Sequence, residues 1–524
     1  MLRSIASISV ATVLSRVTGY GRWMAQAAVL AGGLVADAFT ASILLPSLIY
    51  ELFMGGILYS IFIPVLVDRI TTHGEEDARR LTNALFTLVL PLMVVLSVVG
   101  IAFAGPLVGL VTNWQSAENL SPAEVEEVQG LAVLFFRIFV LQMFFYGIST
   151  VGTGVLQAHR RFFLPTFAPV LNNLLVIGSF AAYYFLREND PRLALYVLAS
   201  GVTAGVAVMA LALVPTMLEL GYRPRPQFGH PALLLTARLA GPMVVLVAAS
   251  VGFQFFSAYL AMGFEAVAEL TYAFTIFSLP YGVFVVAITT ALMPELSEKY
   301  SLRDADGYRD TFSFGLRTMA FVVVPSAVGM ISLSEPLVGV LYEHLNFGPR
   351  ETDLVSGLLV VYAAGLLGYS VYFYLVRAFY SRQNTKTPAA LNVVIFLLYA
   401  ALAYGLSQVW GLTGVVVGLT VAYSALAVLS LAAMRRETGR LDGRRLLDSV
   451  LKALVSGTVM YAVARLGTSL LGVGTTFAER LFVLIVVGGV SLAAYLGVAF
   501  LLGAEEPKSV VTLLRRRSAG KTAR

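Results

Sequence analysis

S-R-V-T-G-Y-G-R-W (residues 15–23), A-D-A-F-T-A-S-I-L-L-P-S-L (36–48) and I-F-I-P-V-L-V-D (61–68) decide how this chain is read. The three segments are mostly apolar, yet Arg16, Arg22 and Asp37 lie inside or at the edges of two long hydrophobic runs. An ionisable side chain inside a membrane span costs about 2.5–3.5 kcal/mol on the insertion scale. Two arginines in one span therefore need a reason. One is snorkelling to an interface, or packing against Asp37. The sharper one is a cationic binding site facing a cavity between helices.

The rest of the composition agrees with a membrane chain. Of 524 residues 58% are hydrophobic and 13% charged, where a soluble protein carries about 25% charged residues. With no cysteine, disulfides, thiolate metal sites and cysteine nucleophiles are excluded. The four histidines (His73, His159, His230, His344) all fall in expected loops and read as ordinary solvated residues. No cofactor and no metal site is expected. Arg3 ahead of an apolar run resembles a secretory leader, but Arg16 and Arg22 interrupt it, so a retained first span is the reading.

A helix needs about 20 mostly apolar residues to cross a bilayer. Apolar runs between charged breaks predict spans at 7–33, 38–67, 81–112, 128–156, 163–186, 193–220, 232–262, 267–294, 312–342, 353–379, 388–410, 412–434, 448–471 and 478–503. With the amino terminus inside, this division puts 28 of the 36 Lys and Arg residues on the cytoplasmic side and five opposite, with Arg16, Arg22 and Arg137 in spans. That asymmetry supports fourteen spans with both termini cytoplasmic. The net charge of +6 then says little about nucleic acid, and the basic tail Arg515-Arg516-Arg517…Lys521…Arg524 reads as a positive-inside anchor to anionic lipid.

An internal repeat divides the spans. Q-A-H-R-R-F-F-L-P ends at Pro165, and Y-S-R-Q-N-T-K-T-P ends at Pro388. A-F…L-P at 38–46 recurs at 273–280, and I-P at Pro64 recurs as M-P at Pro294. The fold expected is an all-α polytopic membrane protein with about 14 transmembrane helices. Its domains are a six-helix bundle at 1–220, a second at 232–436, an additional helix pair at 448–503 and a basic cytoplasmic tail at 504–524. An even number of spans gives both bundles one orientation, so the repeat is parallel.

These residues also carry a resemblance. S-R-V-x-G-[FY]-x-R followed by D-A-F…L-P-x-L and F-x-P-x-L resembles the amino terminus of the MviN/MurJ family. The likeness continues through G-V-L-Q-A-H-R-R-F-F-L-P-T-F-A-P-V-L-N-N (154–173), V-P-S-A-V-G (324–329), L-S-E-P-L (333–337) and R-A-F-Y-S-R-Q-N-T-K-T-P (377–388). The family implies lipid II flippases of the multidrug, oligosaccharidyl-lipid and polysaccharide exporter superfamily, in the bacterial cytoplasmic (inner) membrane. It also implies fourteen spans, the last two lining a groove for a lipid tail. Its substrate would be an undecaprenyl-pyrophosphate-linked peptidoglycan precursor, moved by alternating access. Membrane lipids, and a coupling cation or the membrane potential, are the other partners. Arg16, Arg22 and Asp37 carry over as substrate-binding residues. Arg16 and Arg22 stand about 240° apart on an ideal helix, so one shared diphosphate requires a bend, at Gly19 or Gly21.

The departures concern the other charges. Where the family has a basic residue in span two, the chain reads L-I-Y-E-L-F-M-G-G, with Tyr50 and Glu51. Where it has Asp-Arg in span eight, A-F-T-I-F-S-L-P gives Phe274 and Thr275, and the Asp of D-x-K-T-P is Asn384. Thr275, with Thr271, Tyr272 and Ser278, would then offer hydroxyls instead of charge. An ion-coupled multidrug or other lipid-linked oligosaccharide exporter is the alternative. It needs a buried carboxylate, for which Asp37, Glu51, Glu269 and Glu335 are the candidates. A non-transporting divergent paralogue is the third reading. No Walker motif, H-E-x-x-H or nucleophile elbow is present, so a transporter and not an enzyme is expected. The charge count predicts that reporters fused after Glu124 or Arg350 lie outside and those after Arg303 or Arg440 inside. Glu124 and Arg303 on one side would overturn the fourteen-span topology.

Overall fold

The computed structural model describes residues 2–51, 62–117, 119–439 and 441–504. The F-M-G-G of the second expected span and the basic tail beyond Ala504 lie outside the described residues. Helix occupies part or all of every stretch expected to cross the membrane, and the described residues hold no strand. Among them, nine helices are long and apolar enough to cross alone; Pro349–Ala364 with Leu366–Ser381, bent by 51°, makes ten. Lys386–Thr438 counts once in that number but contains two expected spans, divided by non-helical backbone at Trp410 and Gly411. Gly411 has φ 55° and ψ −140°, a conformation that glycine reaches because it has no Cβ. Leu34–Leu48 and Val247–Met262 are shorter apolar helices, so helix length alone does not reproduce the full count.

Many spans are interrupted. Glu75–Ala102 gives way to Ala104–Val111 and Pro122–Phe139 to Gln142–Ala158; Ala305–Ser332 gives way to Ser334–Tyr342. Val267–Pro280 passes through a wide turn at Tyr281–Val285 before Val286–Ser301. Pro280 lacks the amide its helix needs there, and such π turns collect at functional sites.

Contacts gather the chain into two compact units, Met1–Ala268 with His344–Gly348, and Glu269–Glu343 with Pro349–Arg524. In the first, Phe163–Leu186 packs against both Leu2–Leu30 and Pro191–Leu211. Gly201 and Gly205, one turn apart, allow the second approach: a Cβ at either would overlap Ser179 or Asn172. Small residues at this spacing are how membrane helices come close without a hydrophobic drive between them. The Leu2–Leu30 helix ends against the short segment 344–348. Asn346 donates its backbone amide to Ala28 O at 3.0 Å and its side-chain amide to Val29 O at 2.6 Å. Arg187 in turn donates to Asn346 Oδ1 at 3.2 Å.

The histidine expectation needs correcting. His159 and His230 are not free in solvent; each bonds a carboxylate at 3.2 Å, Glu75 and Asp77 respectively. The loops carrying them lie against the first turn of Glu75–Ala102, which sequence distance conceals.

The second unit is built around Ala305–Ser332, which packs against Val286–Ser301, Leu366–Ser381 and Gly443–Leu471. Buried tyrosines fasten it. Tyr374 donates to Phe312 O at 3.0 Å, Tyr308 to Ala378 O at 3.0 Å and Tyr495 to Phe321 O at 2.9 Å. An ion pair holds the last helix, Phe477–Leu501. Arg480 meets Glu343 at 2.5 Å, with the two side chains 10% and 16% exposed. Thr352 donates to the same carboxylate at 2.6 Å, and Arg480 Nε donates to Gly474 O at 3.1 Å. Removing one member of a buried pair costs about 3–5 kcal/mol, because the other charge is left uncompensated. Arg480→Ala is therefore expected to lower the melting temperature of the purified protein clearly. Arg480→Met combined with Glu343→Leu should recover much of that loss; an unchanged melting temperature for the single variant would show the pair to be ornamental.

Candidate functional site

The arginines of the first helix are placed by the face each occupies. Ser15, Thr18 and Arg22 fall within about 60° of one another on a helix with 100° steps, and that face turns towards Phe163–Leu186. Asn173 donates to Thr18 Oγ1 at 3.2 Å and to Ser15 O at 3.4 Å. Arg22 is half-buried, whereas Arg16, on another face, is exposed. The helix runs unbroken from Leu2 to Leu30. No break falls at Gly19 or Gly21, whose bare Cα positions lie beside Asn173 and Ile177. Arg16 and Arg22 therefore stay on different faces.

Arg22 has neighbours that sequence reading missed. Its guanidinium stands 5.2 Å from the Trp23 ring centroid and within electrostatic reach of Tyr146. Tyr146 stacks on Tyr50 with centroids 4.2 Å apart and shares a hydrogen bond with Ser47. Its hydroxyl donates to Gln142 Oε1 at 3.1 Å, Gln142 Nε2 donates to Thr203 Oγ1 at 3.2 Å, and Thr203 donates to Ile138 O at 3.2 Å. Each donor in this relay has one acceptor, so the chain has a direction and Tyr146 a fixed pose. The tyrosine standing where the resembling family has a cation thus supports another tyrosine beside Arg22. The only sequence signal for this was the substitution at Tyr50 itself.

Asp37 is placed differently from an arginine partner. It is 1% exposed, and its Oδ1 accepts from the Ala268 amide at 3.0 Å, with the Val267 amide bonded too. These are the first residues of the helix beginning at Val267, whose leading amides have no partner within that helix. A carboxylate suits that end both as an acceptor and as a charge against the helix dipole. Close by, Gln26 donates to Thr40 Oγ1 at 3.2 Å, joining the first two helices.

In the second unit Thr275 is half-buried and donates to Thr271 O of its own helix at 2.8 Å; Ser278 donates to Thr275 O at 3.0 Å. Tyr272, expected to offer a hydroxyl to a ligand, is fully buried with its ring 5.3 Å from Tyr342. Aromatic rings dominate this region instead. Phe277 lies 5.3 Å from Tyr362 and 5.2 Å from Tyr369, and Tyr281 lies 5.1 Å from both Tyr369 and Phe373. Of the carboxylates open to an ion-coupled exporter, Asp37 holds backbone amides and Glu335 is exposed in the first turn of Ser334–Tyr342. Glu269 is 5% exposed. The described residues contain no cluster of three or more metal-binding side chains.

Comparison with known proteins places this arrangement. A probable lipid II flippase MurJ of Bdellovibrio bacteriovorus is 29% identical over 99% of this chain and 97% of its own length. A probable lipid II flippase MurJ of Vibrio cholerae is 26% identical over 96% of each. A solved lipid II flippase MurJ in an inward closed conformation matches with TM-score 0.77 at 20% identity, covering 96% of this chain and 99% of that one. An inward-facing multidrug resistance MATE family transporter of the MOP superfamily matches at 0.67 and 17% identity, over 84% and 99%. At those identities the two structures show the fold alone, an all-α bundle of membrane-spanning helices. The family described as lipid II flippase MurJ matches residues 26–488, nearly the whole length, and the chain belongs to that family.

Proposed function

We propose that this protein flips lipid II, an undecaprenyl-pyrophosphate-linked peptidoglycan precursor, across the bacterial cytoplasmic membrane by alternating access. The observation that carries the reading is Arg22, a half-buried guanidinium on an apolar helix, beside a tyrosine that a directed hydrogen-bond relay holds still. A guanidinium fork matches phosphate oxygens and keeps its charge at any physiological pH. A rigid polar neighbour lowers the ordering cost of binding. Arg22 is read as the principal contact to the pyrophosphate. Arg16, on its separate face, is read as a second and weaker contact made at another stage of the cycle. Asp37 acts through the backbone, fixing the start of the helix on which Thr275 lies. Thr275 takes the place of a charge and gives at most a neutral contact. The bundles 1–220 and 232–436 are the proposed alternating halves, 448–503 the proposed flank for the lipid tail, and both termini are read as cytoplasmic.

The deciding experiment is the accessibility of labelled lipid II in proteoliposomes. Wild type should expose the lipid on both leaflets. Arg22→Ala should abolish this in a protein that still inserts and folds, while Arg22→Lys should recover part of it. Arg16→Ala should reduce transport less than Arg22→Ala. Full activity of the Arg16→Ala, Arg22→Ala double variant would return both residues to snorkelling. If extrusion of a cationic drug were found and no lipid movement, the exporter reading would replace this one.

Thr275→Arg provides a separate check. A restored cation should tighten headgroup binding at low salt by about tenfold, since charge-assisted bonds are roughly twice as strong as neutral ones. Unchanged affinity at low and high salt would mean that position 275 does not meet the substrate.

A further inference from the structure

The segment 220–230 joins the last helix of the first expected bundle to the helix Pro231–Met262, and it is strapped down. Arg79 donates to Leu220 O at 3.4 Å, Asn83 Oδ1 accepts from the Arg225 amide at 3.3 Å, and Thr87 Oγ1 accepts from the Gln227 amide at 2.9 Å. Tyr222 reaches Glu75 at 3.5 Å. Residues 75, 79, 83 and 87 recur every four positions, so one face of Glu75–Ala102 carries the whole strap.

Two histidines flank this strap, and their surroundings demand different proton counts. His230 Nδ1 accepts from the Ala232 amide at 3.2 Å, capping the next helix, while its Nε2 faces Asp77 Oδ1 at 3.2 Å. One nitrogen must accept and the other donate, which the neutral ring does. Arg69, 3.5 Å from Asp77, already supplies that carboxylate with a cation. His159 differs. Its Nδ1 faces Val155 O at 2.9 Å and its Nε2 faces both Glu75 carboxylate oxygens at 3.2 Å. Carbonyl and carboxylate oxygens only accept, so both nitrogens are satisfied only when both carry protons.

We propose that His159 is a proton-dependent latch that holds the 220–230 segment to the first turn of Glu75–Ala102. Protonated, His159 donates to Glu75, which also accepts from Tyr222, and the strap is closed. The neutral ring has one proton fewer. With Nδ1–H still donating to Val155 O, the bare Nε2 repels the carboxylate and takes the Tyr222 hydroxyl, 3.5 Å away. Tyr222 then leaves Glu75, and the strap loses its charged link. The groups facing His159 are Glu75 on the helix and Tyr222 on the strap, with Arg79 beside the Tyr222 ring and Arg160 and Arg161 following on its own loop. Arg79 stacks 6.0 Å from the Tyr222 ring, so it stays with the strap in either state. The closed form needs the extra proton, so closure is present at low pH and lost as pH increases. This latch does not depend on which lipid is moved.

The test is hydrogen–deuterium exchange of the full-length protein in nanodiscs at about pH 6 and about pH 8, the range over which histidine charge changes. Rates are corrected for intrinsic exchange, and the Arg225 and Gln227 amides are the readout. Wild type should show about tenfold greater protection at the lower pH. His159→Gln and Glu75→Gln should each remove that dependence, and His230→Asn, which keeps a cap acceptor, should retain it. A wild type with equal corrected protection at both pH values would overturn the proposal. So would pH dependence that survives in both His159→Gln and Glu75→Gln.

Discussion

A polar group inside a bilayer has no water to turn to, and leaving it unpaired costs several kcal/mol. That constraint organises both units. Buried tyrosines donate across to helix carbonyls at Phe312, Phe321 and Ala378, and serines and threonines return their hydroxyls to carbonyls one turn back. Thr275 is one of these, which is why a hydroxyl in a membrane span is weak evidence of a ligand. Asp37 obeys the same rule with a charge: its carboxylate supplies the partner that the first amides of a helix lack.

Hydropathy made the helices legible, because a run of apolar residues of membrane length has few other uses. The span 163–186 coincides with its helix at both ends. The breaks at Phe103, Leu333 and Gly365 were not legible, since a kink leaves mean hydropathy unchanged. Trp410–Gly411 was legible as a boundary between two spans, and the backbone is non-helical there, with Gly414 and Gly418 packed back against Leu406 and Ala403. Arg16 and Arg22 stood out because a charge in an apolar run is conspicuous. Tyr146 did not, being one of 24 tyrosines, many of them in apolar surroundings. The partners of Asp37 lie 231 residues away in the backbone, and no side-chain pattern could have announced them. The histidine pairs failed for a related reason, because loops were read singly although two of them meet on one helix turn.

Tyr50 shows how a lost charge need not leave a void. At the position where the resemblance implies a cation, the ring of Tyr50 stacks on Tyr146, which lies within electrostatic reach of Arg22. The neutral side chains around Arg22 are joined to one another, Tyr50 to Tyr146 by ring stacking, and Tyr146 to Gln142 and Gln142 to Thr203 by hydrogen bonds.

Asn346 gives the first unit an unusual order of completion. The carbonyls of Ala28 and Val29, at the end of the very first helix, receive their donors from a segment that follows Glu343 in the chain. During synthesis those donors emerge only after residues 269–343 of the second unit have been made. Chains usually complete their amino-terminal domain first. Here the amino-terminal unit includes residues 344–348, so the end of the helix that carries Arg22 receives these two donors from a stretch translated more than 300 residues after it.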